Sequence, residues 1–137
     1  MQSSCSQIVL VIDDDRNVAE ALMEVLESEG YEVQTADNGR SALNQLRGGL
    51  RPCAILLDLM MPVMDGWDFR HEQMRDADLK EIPVVVISAA GFSADTVRAQ
   101  FGGVEYLTKP FELTSFVTTV RRFCNGAHVA AAAEAAE

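Results

Sequence analysis

The chain has 137 residues, 48% of them hydrophobic, which suits one compact domain with a buried core. Its formal net charge of −10 at pH 7 argues against direct binding to nucleic acid or anionic membranes, and favours a cationic partner or a divalent metal ion. No apolar run approaches the roughly 20 residues that a membrane-spanning helix needs, and the short polar stretch Met1–Ser6 has no signal-peptide pattern. A cytoplasmic location is therefore expected.

The first part of the chain predicts two strands that alternate with two helices. The uninterrupted apolar run Ile8–Ile12 is typical of a strand buried on both faces, as in a parallel sheet. A helix follows, in which apolar residues recur three and four positions apart until Gly30 ends the pattern. A weaker strand at Glu32–Ala36 precedes a short helix that begins near Asp37–Asn38 and ends at Gly48–Gly49.

The rest of the chain repeats this order. Apolar runs at Cys53–Leu57 and Val84–Ile87 predict buried strands, and a weaker run at Val104–Leu107 predicts a fifth strand. Three helices are predicted to follow these strands. The first runs from Gly66 to Arg75, the second carries Val97 and Phe101, and the third has an apolar stripe formed by Leu113, Phe116, Val117, Val120 and Cys124 and ends at Asn125–Gly126.

Strands that alternate with helices in this way predict an α/β fold, with a doubly wound parallel sheet covered by helices on both faces. The predicted domain occupies residues 7–125. It is preceded by a leader at residues 1–6 and followed by an alanine-rich tail at residues 126–137 that has no candidate site. In sheets of this class, ligands bind outside the carboxyl ends of the strands.

Acidic and polar residues follow four of the predicted strands. They are Asp13, Asp14 and Asp15 after the first strand, Asp58 after the third, Ser88 after the fourth, and Lys109 with Pro110 after the fifth. We expect these side chains to meet at one edge of the sheet, because the carboxyl ends of parallel strands lie together. Asp15 is interpreted as a helix N-cap, whereas Asp58 follows four apolar residues and needs a partner for its charge.

This set of residues predicts a magnesium-assisted phosphoryl transfer. Neighbouring carboxylates repel one another unless a cation lies between them, and ligation by oxygen alone suits Mg²⁺. An aspartate carboxylate can attack phosphorus to give an acyl phosphate, with Asp58 as the predicted acceptor. Mg²⁺, Lys109 and the Ser88 hydroxyl would then each contact one oxygen of the phosphoryl group.

Four segments in this order resemble the receiver domain of bacterial two-component response regulators. They are IVLVIDDD, AILLDLMMPVMDG, VVVISAA and VEYLTKPF, and the resemblance covers about Gln7 to Asn125. It implies a five-stranded flavodoxin-like fold with strand order 2-1-3-4-5. It also implies a signalling switch, not an enzyme with an external substrate, that receives its phosphoryl group from a sensor histidine kinase or a phosphotransfer protein.

The resemblance implies a role for each matching residue. Asp58 matches the phosphoacceptor, with Lys109 and Ser88 as its catalytic partners, and Ser88 and Tyr106 match the switch pair. The metal ligands would be Asp13, Asp14, Asp58 and the backbone carbonyl of Met60. The Lys109–Pro110 peptide bond is expected to be cis. The signal is expected to leave through the fourth helix, fifth strand and fifth helix toward an unidentified protein.

Two alternatives stay open. A haloacid-dehalogenase-like phosphatase would use Asp13 as its nucleophile, but Arg16–Asn17 stands where that family has Gly-Thr, and no acidic pair follows Lys109. A receiver segment of a hybrid histidine kinase also fits, although Met1 and the short leader favour a stand-alone product. An FMN-binding protein fits poorly, because three aspartates after the first strand would repel a phosphate.

The cysteines predict neither a disulfide nor a zinc site. Cys5, Cys53 and Cys124 are odd in number and far apart, and no CxxC pair is present. They are interpreted as small apolar residues or as an inert thiol near a chain end.

Overall fold

A computed structural model describes residues 7–61, 63–88, 94–101, 104–108 and 112–124. Strands and helices alternate throughout this part of the chain. They are β1 (Ile8–Ile12), α1 (Arg16–Ser28), β2 (Glu32–Ala36), α2 (Gly39–Arg47), β3 (Ala54–Asp58), α3 (Gly66–Met74), β4 (Val84–Ser88), α4 (Ala94–Phe101), β5 (Glu105–Thr108) and α5 (Leu113–Cys124). The predicted leader and the alanine-rich tail lie outside the described residues.

The strands form one parallel sheet in the order β2-β1-β3-β4-β5, which confirms the predicted architecture. Every residue of β3 is buried, as expected for a central strand covered on both faces. The predicted end of this strand was wrong by one residue. Asp58 belongs to β3, because it is paired in register with Ile87 of β4 instead of starting the following loop.

Two apolar cores cover the two faces of the sheet, because successive side chains on a strand point to opposite sides. One core joins β1 and β3 to α2, α3 and α4, with Leu10, Leu57, Leu43, Phe69 and Val97 among its buried members. The other joins the same strands to α1 and α5, with Val11, Leu56, Leu26, Phe116 and Val120. Both cores hold the sheet rigidly beneath its carboxyl edge.

The helix boundaries follow the local chemistry of the sequence. Asp15 is the N-cap of α1, as predicted, and its carboxylate accepts from the backbone N–H groups of Asn17 and Val18 at 3.0 and 3.3 Å. Asn38 caps α2 in the same way. Gly30 follows α1 with a φ of +98°, a conformation that glycine adopts without steric cost.

The prediction that the cysteines stay unpaired is wrong for two of them. Cys53 and Cys124 form a disulfide, with their Cα atoms 4.8 Å apart. The two residues are 71 positions apart in sequence, and only the packing of α5 beside the start of β3 brings them together. The third cysteine, Cys5, lies outside the described residues.

Candidate functional site

Three aspartates meet at the carboxyl edge of the sheet, as the sequence predicted. One carboxylate oxygen from each of Asp13, Asp14 and Asp58 lies within 4.8 Å of the other two. Asp13 and Asp58 are only 3% and 6% exposed, whereas Asp14 is exposed to solvent. Two buried charges and one exposed charge therefore converge on one point that is reached from the Asp14 side.

The end of β1 fixes the position of Asp13. Its backbone N–H donates to the carbonyl of Ala36 at the end of β2, at 3.0 Å. Its carboxylate accepts from the backbone N–H of Asp15 at 2.9 Å, which leaves further lone pairs available for a ligand. An open cleft of about 470 Å³ lies beside Asp13 and Asp14 and extends toward Asp37 and Ser41. Solvent and small solutes can approach the two carboxylates through this cleft.

The turn after β3 packs tightly against the backbone of Asp58. The backbone N–H of Gly66, the first residue of α3, donates to the carbonyl of Leu59 at 3.0 Å. A Cβ atom at Gly66 would lie 2.6 Å from the Asp58 carbonyl oxygen, closer than any side chain tolerates. Sequence reasoning assigned no role to Gly66, although the Asp-Gly pair before a helix was a usable signal.

The loop between β3 and α3 is also attached to α2. The backbone N–H of Gly39 donates to the carbonyl of Met64 at 2.8 Å, and a Cβ at Gly39 would lie 2.8 Å from the Met64 side chain. Within this loop Val63 has a φ of +68° and is 82% exposed. A β-branched residue in the left-handed region is strained, so this loop holds its shape at some cost.

The other predicted site residues are described to different extents. Tyr106 pairs in register with Val86 and is partly buried against the core beneath α4. Met60 is 63% exposed beside the site. The backbone of Ser88 lies at the end of β4, next to Thr108 of β5, but its side chain is not among the described groups. Lys109 and Pro110 lie outside the described residues, so their predicted roles stay predictions.

The donor set fits a hard divalent cation. All three groups are carboxylates, which suit Mg²⁺ or Ca²⁺ and are poor ligands for soft metals. Two of them are held by the carboxyl ends of adjacent strands β1 and β3, whose relative position is fixed by the sheet ladder. The cluster could hold Mg²⁺ through Asp13, Asp14 and Asp58, with the exposed side left for water or a phosphoryl oxygen.

Comparison with known sequences decides the family. The sequence matches the response regulator receiver domain over residues 9–121. The chain belongs to the response regulator receiver domain family. It is 37% identical over 116 residues to the DNA-binding response regulator MtrA of Mycobacterium tuberculosis, and this match covers 84% of the chain and 49% of MtrA. This receiver chain thus spans about half the length of the curated relatives it matches.

Solved receiver structures share the fold. A signal receiver domain of a histidine kinase from Syntrophus aciditrophicus has a TM-score of 0.77 and 32% identity, with 87% of this chain and 90% of that chain covered. The chemotaxis protein CheY4 of Vibrio cholerae has a TM-score of 0.75 and 29% identity, with 86% and 98% covered. Among the described residues of the present receiver, no helix is both long enough and apolar enough to cross a membrane.

Proposed function

We propose that this receiver domain accepts one phosphoryl group on Asp58 in a Mg²⁺-dependent reaction. The observation that supports this most strongly is the convergence of Asp13, Asp14 and Asp58 within 4.8 Å at the carboxyl edge of a receiver sheet. A receiver domain implies a histidine kinase partner, so the donor is a phosphohistidine of such a kinase or of a phosphotransfer protein.

In the proposed reaction, a carboxylate oxygen of Asp58 attacks phosphorus, and the bond from phosphorus to the donor breaks. The product is an acyl phosphate on Asp58, and the donor leaves with its bonding electron pair. Asp13 and Asp14 hold the cation, with the backbone carbonyl of Met60 as a further ligand. When bound, Mg²⁺ supplies positive charge that offsets the charge of the transferring group. Lys109 and the Ser88 hydroxyl are proposed to contact the remaining phosphoryl oxygens.

The output is proposed to leave through α4, β5 and α5. Phosphorylation adds a charge of about −1.5 to −2, which draws the Ser88 hydroxyl toward the phosphoryl group. Tyr106 then moves into the space that Ser88 leaves, which biases an existing two-state equilibrium. This coupling requires that the NMR signals around Tyr106 change on phosphorylation, and that Ser88→Ala is phosphorylated with a weaker change. Unchanged Tyr106 signals in the phosphorylated wild type would contradict the coupling.

The protein context of the receiver is proposed to be a stand-alone switch without a DNA-binding segment of its own. The net charge of −10 supports a protein target for this domain instead of nucleic acid. The relative MtrA is named as DNA-binding, and another similar receiver belongs to a histidine kinase. Phosphotransfer from each histidine kinase of the host, measured in parallel, would identify the cognate donor by its rate.

Acetyl phosphate with Mg²⁺ tests the proposed acceptor, and intact mass spectrometry is the measurement. The wild type is expected to gain one phosphoryl group, and Asp58→Asn is expected to gain none. Asp37→Asn is the matched control, because Asp37 lines the same cleft but lies outside the carboxylate cluster. Full labelling of Asp58→Asn together with loss of labelling in Asp13→Asn would instead support the phosphatase-like mechanism, with Asp13 as the nucleophile.

A further inference from the structure

We propose that Cys53 and Cys124 form a reversible redox site on the receiver. A low-molecular-weight disulfide, such as glutathione disulfide, oxidises the pair, and a thiol reduces it. The site lies at the amino end of β3 and the carboxyl end of α5, away from the aspartate cluster. It is independent of the proposed phosphoryl transfer.

Both cysteines are positioned by contacts that do not involve sulfur. The backbone N–H of Cys53 donates to the carbonyl of Ile8 at 2.8 Å, which fixes Cys53 beside β1. Phe116 and Val120 are fully buried in the core beneath α5 and fix the helix that ends at Cys124. The Cα separation of 4.8 Å already suits a disulfide, and reduction leaves these supporting contacts in place. The two thiols therefore stay adjacent and ready to re-form the bond.

The two sulfur atoms differ in their access to solvent. Cys124 is 1% exposed, whereas Cys53 is partly exposed. A reducing thiolate therefore reaches the Cys53 sulfur, and the Cys124 sulfur leaves as a thiolate that takes up a proton. A second thiol then attacks the sulfur of the reductant in this mixed disulfide and releases Cys53 as a thiol. Two protein thiols and one small-molecule disulfide result, and oxidation is the same exchange in reverse.

The redox state is expected to control the end of α5 without changing the acceptor site. The disulfide closes a loop of 71 residues that contains β3 through α5, which restricts the unfolded chain. Cys53 and Asp58 lie at opposite ends of β3, about 17 Å apart at ~3.3 Å per residue. Oxidation thus holds the last turn of α5 against the sheet, and reduction lets that turn open more often.

The test uses folded protein equilibrated in buffers with different ratios of reduced to oxidised glutathione. Free thiols are alkylated, and peptide mapping by mass spectrometry then assigns each cysteine in the wild type. Cys53 and Cys124 are expected to become protected together, without denaturant, and to become free again on return to reduced glutathione. The melting temperature of the oxidised form is expected to be higher by on the order of 10 °C, and amide exchange in the last turn of α5 slower.

Matched variants separate this pair from the third cysteine. Cys5→Ala is expected to behave as the wild type, and Cys53→Ala is expected to lose both the protection of Cys124 and the redox-dependent melting temperature. Three outcomes overturn the proposal: both thiols stay free at every ratio, the disulfide is reduced only after denaturation, or Cys5 is the partner of either residue. Equal acetyl phosphate labelling of Asp58 in both redox forms is expected, and loss of labelling in both would count against the proposed phosphoryl transfer alone.

Discussion

Gly66 and Asp58 are packed so closely that a Cβ atom on Gly66 would lie 2.6 Å from the Asp58 carbonyl oxygen. The same Cβ would lie 2.9 Å from the Cα of Leu59, so that both obstacles are backbone atoms that cannot rotate away. The first residue of α3 thus fixes the path of the chain just after the proposed acceptor. The position of the Asp58 carboxylate depends on a residue that has no side chain.

Gly66→Ala is therefore expected to lower the free energy of unfolding by about 2 kcal/mol, as for other overpacked sites. It should also slow labelling by acetyl phosphate, because the turn that carries Asp58 must shift. Denaturant unfolding and intact mass spectrometry measure the two effects. Gly48→Ala is the matched control, since its Cβ would lie at a tolerable 3.2 Å from the Asn44 carbonyl oxygen and its φ is −81°. Equal stability of the two variants would show that the Gly66 turn adapts freely.

Magnesium binding is expected to raise the melting temperature of the receiver, because a ligand that binds only the folded state stabilises it. Asp14→Ala should remove most of this increase. Its melting temperature without metal should match or exceed that of the wild type, since one of three clustered negative charges is gone. Thermal melts with and without millimolar Mg²⁺ provide the measurement.

Asp37→Ala serves as the control for this metal response. Asp37 is an exposed acid in the same cleft, and its carboxylate accepts from the Asn38 side chain instead of joining the cluster. The variant should keep the full response to Mg²⁺. A wild-type melting curve that ignores Mg²⁺ would contradict a metal site formed by the three aspartates.

The strained residue Val63 offers a separate test of the loop after β3. Val63→Asn is expected to raise the free energy of unfolding by about 1 kcal/mol, because asparagine tolerates the left-handed conformation better than a β-branched residue does. The exposed side chain gives up little packing in exchange. Val63→Thr keeps the branched shape and should leave stability unchanged. If both variants have the same stability in denaturant unfolding, the strain at this position is negligible.

A buried glutamine holds the loop between α3 and β4. Gln73 is fully buried, and its amide donates to the carbonyls of Leu79 and Ile82 at 2.9 and 3.1 Å. Its oxygen accepts from Arg70, which also donates through two nitrogens to the carbonyl of Phe101 at the end of α4. Burial lowers the pKa of the Arg70 guanidinium from its ordinary value, and these oxygen acceptors compensate the lost hydration.

Gln73→Leu is expected to destabilise the receiver by about 2 kcal/mol, because two buried carbonyls lose their donor. Gln45→Leu is the matched control, since Gln45 also donates to a carbonyl, that of Thr35, but at an exposed position where water can replace it. The control should change stability by about 0.5 kcal/mol or less. Urea unfolding of both variants measures the difference, and similar losses would argue that burial of Gln73 adds nothing.

The sequence predicted the sheet well, because the apolar runs of β1 and β3 are buried on both faces and have no other plausible place in a small domain. Placing Asp13, Asp14 and Asp58 together followed from that topology and was confirmed. The Cys53–Cys124 pair and the contacts of Gln73 could not be predicted in this way. They depend on distances between elements far apart in the chain, for which hydrophobic periodicity carries no signal.

The lifetime of the proposed acyl phosphate provides the last prediction. Water must approach phosphorus in line to hydrolyse it, and two side chains are predicted to flank that path. They are Met60, two residues after Asp58, and Ala90, which lies outside the described residues. Met60 is 63% exposed on the solvent side of the site and has no strong acceptor that could orient a water molecule. Slow self-dephosphorylation is therefore expected.

Met60→Asn should speed the loss of the phosphoryl group several-fold, because an amide can hold a water molecule near the line of attack where a thioether cannot. The measurement is the decay of the phosphorylated mass after acetyl phosphate is removed, with wild type and variant in parallel. Met74→Asn is the control, because Met74 is also exposed, at 46%, but lies at the far end of α3. Its decay should match the wild type. If Met60→Asn decays as slowly as Met74→Asn, the side chain at position 60 does not set the lifetime.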